Sequence, residues 1–187
     1  MNNFRVPKGS AGFSLVELSL VVVISLILVA LGIPNYMQML RAYRLAGDAR
    51  SLAHELTLAR LRAGTDFTWA QIVLNSSANS YTVQVCTTKA TSSCTTFTTE
   101  GGTQYLSTGI SLGFGSSNLA AGGQTTAAQT TTVTFNSRGI PVDSGGSPTG
   151  NDTIYLANDK NNAFAVSLTL SGHPKIWRWS GSAWVSA

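Results

Sequence analysis

The chain has 187 residues, 43 % of them apolar and 11 % charged, with two cysteines and a formal net charge of +4. That length holds one membrane helix and one modest domain and leaves room for little else. The charge is uneven: Arg41, Arg44, Arg50, Arg60 and Arg62 outweigh Asp48 and Glu55, whereas from Gly64 onward five basic residues meet five acidic ones, which excludes a large electrostatic footprint on the C-terminal part.

In chain order, the first informative segment is residues 9–34, GSAGFSLVELSLVVVISLILVALGIP. Gly12 directly precedes Phe13-Ser14-Leu15-Val16-Glu17-Leu18, and an almost unbroken apolar run extends to Ile33. Phe13–Ile33 supplies 21 residues, enough for the roughly 20 a bilayer requires. Arg5 and Lys8 on its N-terminal side favour a cytoplasmic N-terminus, which puts the rest of the chain outside the inner membrane. The one charge in the run is Glu17. A carboxylate in hydrocarbon costs several kcal/mol, about 3 on the more modest scales, and marks function by default. Pro34 removes one helical hydrogen bond, and with Gly32 it predicts a kink or a local melt.

The run GFSLVE followed by an apolar stretch resembles the type IV prepilin signal. The resemblance implies a leader, Met1–Gly12, cut by a prepilin peptidase between Gly12 and Phe13, with Phe13 then N-methylated. Arg5 and Lys8 would leave with it. It also implies that the apolar helix stays in the mature protein, unlike that of a secretory signal peptide. Glu17 would pair with the new N-terminal amine during subunit assembly, and Pro34 would stand where pilins often carry a helix-loosening proline.

Helical patterning resumes after Pro34. Leu45, Ala49, Leu52, Leu56, Ala59 and Ala63 follow a 4-3-4-3-4 spacing, one apolar stripe of an amphipathic helix. Arg41, Arg44, Asp48, Glu55 and Arg62 lie largely off it. A helix from Phe13 to Ala63 would be roughly 75 Å long, its second half laid stripe-down on the following domain. Gly64 is the expected stop.

Beyond Gly64 the period changes to two. Tyr81, Val83 and Val85 alternate with polar residues, as do Ile110, Leu112 and Phe114, then Val133 and Phe135, then Phe164, Val166, Leu168 and Leu170. Ile176–Trp179 and Ala183–Val185 read as short closing strands, and turn signals at Ser137–Gly139, Ser144–Gly150, Ser171–Pro174 and Ser180–Ser182 separate the pieces. Antiparallel strands with one buried face give this pattern. Gly115–Gln129, of low complexity, reads as a mobile loop. The wealth of Ser, Thr, Gly and Asn suits the surface of an exported β domain.

Cys86 and Cys94 are the only cysteines. In an oxidising compartment they would staple a hairpin; zinc is the rival reading, and no neighbouring His or acid supports it. His54 and His173 belong to no nucleophile motif, and no phosphate-binding glycine loop or metal cluster is present. No enzyme, cofactor or metal is expected.

Phe135-Asn136-Ser137-Arg138-Gly139-Ile140-Pro141, a late alternating strand and the Gly172 turn are similar to the GspH/FimT pseudopilin family. The fold implied is α+β, a long N-terminal helix packed on an antiparallel β head, with boundaries at 1–12 (leader), 13–33 (transmembrane), 34–63 (amphipathic) and 64–187 (periplasmic head). The function implied is a minor pilin or pseudopilin at the tip or initiation complex of a type II secretion pseudopilus or type IV pilus. Its partners would be other subunits, the prepilin peptidase, an inner-membrane assembly platform and, before assembly, lipid. Some relatives are thought to bind DNA through a basic C-terminal motif of glycine and arginines. Here that place reads Gly172-His173-Pro174-Lys175-Ile176-Trp177-Arg178 and lacks the arginine pair. A DNA-uptake role through Lys175, Trp177 and Arg178 is the alternative.

Overall fold

The computed structural model describes residues 12, 14–88, 93–160 and 162–187. It divides into two compact units, residues 1–39 and 40–187. One helix, α1 (Leu15–Thr65), contributes to both. Among the described residues ten strands follow, in two five-stranded antiparallel sheets. The first sheet is ordered β3-β2-β1-β5-β6, from β1 (Ala70–Asn75), β2 (Ser80–Cys86), β3 (Phe97–Tyr105), β5 (Thr132–Phe135) and β6 (Pro141–Val142). The second is ordered β10-β9-β8-β7-β4, from β4 (Ile110–Leu112), β7 (Thr153–Asn158), β8 (Ala163–Leu168), β9 (Pro174–Trp179) and β10 (Trp184–Ser186). The expected α+β class holds.

In the first unit, α1 begins on Ser14. The Leu18 amide donates to its carbonyl at 3.1 Å, and the Glu17 amide donates to its hydroxyl at 3.3 Å, the arrangement of an N-cap. The helical assignment continues through Pro34. Every described residue from Ser14 to Met39 is exposed, and the stretch is long and apolar enough to cross a membrane. Ser19 and Ser25 donate to the carbonyls of Val16 and Val21, at 2.8 and 2.7 Å, so these two hydroxyls are satisfied within the helix.

In the second unit the amphipathic stripe is the centre of the core. Leu45, Ala49, Leu52, Leu56, Ala59 and Ala63 are fully buried. Both sheets turn their inner faces to this core. Val83, Ile72 and Val133 stand side by side on the first sheet, and Ile154, Val166 and Ile176 on the second. Each large aliphatic side chain here contributes about 1.5–3 kcal/mol on burial. Helix residues from Leu45 onward therefore belong to the same folding unit as the strands. The helix ends one residue beyond Gly64. The Thr68 amide bonds the Ala63 carbonyl, and Phe67 takes the left-handed conformation (φ 49°), so the cap is Schellman-like on a non-glycine residue.

The expectation of a single buried face fails for the second sheet. All six residues of β7 are buried, as are five of six in β8. The cover comes from the loop following β4, whose low complexity gives no sign of this packing. The Ala121 amide donates to the Tyr155 hydroxyl at 2.9 Å, that hydroxyl donates to Gln124 Oε1 at 2.7 Å, and the Trp184 indole donates to the Leu119 carbonyl at 2.9 Å. Phe114, Tyr155, Trp184 and Trp179 form a chain of tilted ring contacts under it, 4.7–5.6 Å between centroids. Gly122 (φ +66°) lies so close to β8 that a Cβ there would sit 2.3 Å from that of Ser167. Low complexity here serves close packing.

Candidate assembly surface and the placement of the sequence-predicted residues

Gly12 is exposed, while residues 1–11 and Phe13, hence most of the leader and the residue after the expected cut, lie outside the described residues. Glu17 sits in the first helical turn. There the unpaired backbone amides favour an anion. Its carboxylate has no partner among the described residues. Pro34 lies inside the helix, and the amide side chain of Asn35 reaches the Leu31 carbonyl at 3.5 Å.

Cys86 and Cys94 form a disulfide, with Cα atoms 6.0 Å apart. It joins the end of β2 to the approach to β3 and packs with Trp69, Phe97 and Val142 on the outer face of the first sheet. No group of three or more potential metal ligands exists among the described residues.

The three residues singled out for nucleic acid do not converge. Lys175 and Trp177 lie on the outer face of β9, and Arg178 on the opposite face beside Phe164. The Trp177 indole donates to Ser167 Oγ at 2.8 Å and packs with Tyr155 and Ala165. Its ring fills the sheet surface, as expected if alternate tryptophans pack on the strands.

The head also holds contacts with no signal in the sequence. Arg60 Nε donates to the Gly139 carbonyl at 3.1 Å, and its NH1 lies 3.5 Å from His173 Nδ1. The β5–β6 turn and the β8–β9 turn, one from each sheet, thus meet on one helix side chain. The FNSRGIP run and the Gly172 turn are visible as motifs; nothing in the sequence singles out Arg60. Asp48 likewise accepts from the amide and hydroxyl of Ser107, at 2.8 and 2.9 Å, tying the β3–β4 loop to α1. Ion pairs Arg41–Asp159 and Arg62–Glu100 add two more links between helix and strands; both are partly exposed and worth about 0–1 kcal/mol each.

Among the described residues four groups titrate away from their ordinary ranges. The hydrogen bond and the charge of Glu100 raise the Arg62 guanidinium. Burial, with the negative charges of Glu55 and Asp48, pushes the Tyr81 phenol up to about 12. Burial also raises the Asp152 carboxyl, opposed by a hydrogen bond from Thr130, and raises Tyr155, opposed by the Ala121 amide.

No protein-family model and no curated protein matches the chain. Two solved structures do. The likeness is to a minor pseudopilin. Both are structures of EpsH from the type 2 secretion system of Vibrio cholerae, each at 13 % identity with a TM-score of 0.43. One alignment covers 71 % of this chain and 94 % of that one, the other 77 % and 96 %. Values this low decide neither family nor function.

Proposed function

We propose that the chain is a structural subunit of the pilin type: a minor pseudopilin that joins the tip or initiation complex of a type II secretion pseudopilus or type IV pilus and so supports protein secretion. One observation carries this reading. A single helix has an apolar, wholly exposed N-terminal half bearing one carboxylate in its first turn, and a C-terminal half whose stripe is the core of a β head. An exposed apolar stretch of this size needs lipid or another protein around it. Lipid supplies that before assembly, and the helices of other subunits supply it afterwards.

The reading assigns each part a role. The prepilin peptidase cuts after Gly12 and methylates Phe13. Arg5 and Lys8 hold the leader in the cytoplasm, with the helix in the inner membrane and the head in the periplasm. Glu17, costly in an apolar filament core if unpaired, meets the positive N-terminal amine of Phe13 in the same or a neighbouring subunit. Pro34 loosens the helix when the assembly platform draws the subunit out. No catalytic group or cofactor is needed.

Mass spectrometry of the wild-type N-terminus should find methylated Phe13, and Gly12→Lys should retain the leader while still inserting in the membrane. Glu17→Leu should insert normally but enter filaments poorly. An intact Met1 in functional protein, or normal incorporation of Glu17→Leu, would contradict these assignments.

A further inference from the structure

Near the C-terminal end of α1, about 30 Å along the helix from Leu40, a notch of about 210 Å³ opens where the β5–β6 turn meets the helix. Two guanidinium groups line it, those of Arg60 and Arg138, beside Leu61 and Gly139. Arg60 is half-buried and held in place: its Nε donates to the Gly139 carbonyl at 3.1 Å, and its NH1 lies 3.5 Å from His173 Nδ1. Arg138 is exposed, on a turn that Asn136 fixes by accepting from the Arg138 amide at 3.0 Å. Neither guanidinium has a carboxylate. All eight acidic residues of the chain are among the described residues, and the ion pairs they form go to Arg41 and Arg62. Asp66, just past the helix, acts on Arg62 and pairs with neither Arg60 nor Arg138. The free carbonyls at the end of α1 supply only about half a negative charge, shared over the last turn.

Two like charges thus line one notch with no opposite charge from the chain itself. A carboxylate answers that arrangement, because guanidinium groups take it in charge-assisted, two-pronged bonds. Leu61, 54 % exposed, stands beside the notch and offers an apolar neighbour of that carboxylate a surface to cover. A nucleic-acid strand fits less well. Its affinity grows with the number of phosphates neutralised, and the other cations of this region, Lys175 and Arg178, lie on opposite faces of β9 and form no track. We propose that the notch receives an acidic side chain of a partner polypeptide, with Arg60 as the fixed prong, Arg138 as the closing one, and Leu61 covered by an apolar residue next to the acid. The inference goes beyond the proposed function, in which subunits meet through the N-terminal helix, and does not depend on it.

The test is a titration of the ¹⁵N-labelled full chain in detergent micelles, following the Arg60 Nε–H signal, which the bond to Gly139 shields from exchange. The probes are acetyl-Leu-Glu-Leu-amide, its glutamine counterpart, acetate and a single-stranded oligonucleotide, all at one ionic strength. The glutamate peptide should shift the signal saturably, and the glutamine peptide, isosteric but neutral, should bind at least about tenfold more weakly. Arg138→Gln should weaken glutamate binding by a similar factor and Leu61→Ser by about threefold, with the remaining spectrum unchanged. Both side chains are exposed, so neither variant disturbs the head, whereas Arg60→Ala would also free the two turns. Absence of a shift, equal binding of the glutamine peptide, or indifference to Arg138→Gln overturns the proposal. So does acetate binding as tightly as the glutamate peptide, which would make the notch an adventitious ion site only. An oligonucleotide that moves the signal more strongly than the peptide would reassign the notch to nucleic acid, and shifts that grow with protein concentration alone would reassign it to a second copy of the chain; either result also overturns the proposal.

Discussion

Gly172 is the sharpest point at which to test the packing of the head. It is buried at φ +77°, and a Cβ there would stand 2.8 Å from the Gly139 carbonyl oxygen and 3.1 Å from Cδ and Nε of Arg60. In Gly172→Ala the left-handed backbone alone costs about 1–2 kcal/mol. The steric conflict must then displace the Gly139 carbonyl or the guanidinium that bonds it, and loss of a partly buried bond of this kind adds about 1–2 kcal/mol. The expected loss is roughly 2–4 kcal/mol, or roughly 5–15 °C in Tm for a unit of this size. Urea and thermal unfolding would be followed on residues 40–187, the unit that contains the whole stripe; a fragment starting at Gly64 would lack it. Gly181→Ala supplies the control, because Gly181 has φ +100° but open space around its Cβ position and should show the backbone cost alone. Arg60→Ala removes two of the three close contacts, so Gly172→Ala should cost less in that background. A Gly172→Ala loss no larger than that of Gly181→Ala, or one unchanged by Arg60→Ala, would refute the idea that the two turns are locked on Arg60.

Replacing Cys86 and Cys94 together by serine should lower stability by about 2–3 kcal/mol for so short a loop, read as a shift in urea midpoint that reductant reproduces in the wild type. In an ultraviolet titration Tyr81 should ionise near pH 12. Its folded pKa is raised, so its stabilising contribution is complete below about pH 10 and is lost as pH climbs towards 12; Tyr81→Phe should flatten that alkaline decline. Labelled single-stranded DNA should bind residues 40–187 weakly or not at all at moderate salt, because Lys175 and Arg178 face opposite sides of β9; tight binding abolished by Lys175→Ala with Arg178→Ala would revive the DNA-uptake alternative.

Wherever one face was buried and the other wet, the sequence showed the structure by itself. The stripe from Leu45 to Ala63, the alternation in β2 and β5, and the apolar helix with Glu17 near its start are local patterns, because side-chain period follows directly from backbone geometry. The α+β class followed from the change of period after Gly64. Strand β7, Thr-Ile-Tyr-Leu-Ala-Asn, went unread because both its faces are buried, and a strand covered on both sides loses its alternation. The packing of the loop is equally silent: nothing in a run of Gly, Ala, Gln and Thr announces that it will close over Tyr155. The helix stop lies at Thr65, one residue beyond the Gly64 the sequence offered, with the left-handed turn taken by Phe67. The junction of Arg60 with Gly139 and His173 spans sequence separations of 79 and 113 residues. Contacts of that range leave no periodic trace in the chain, so only the tertiary structure could decide them.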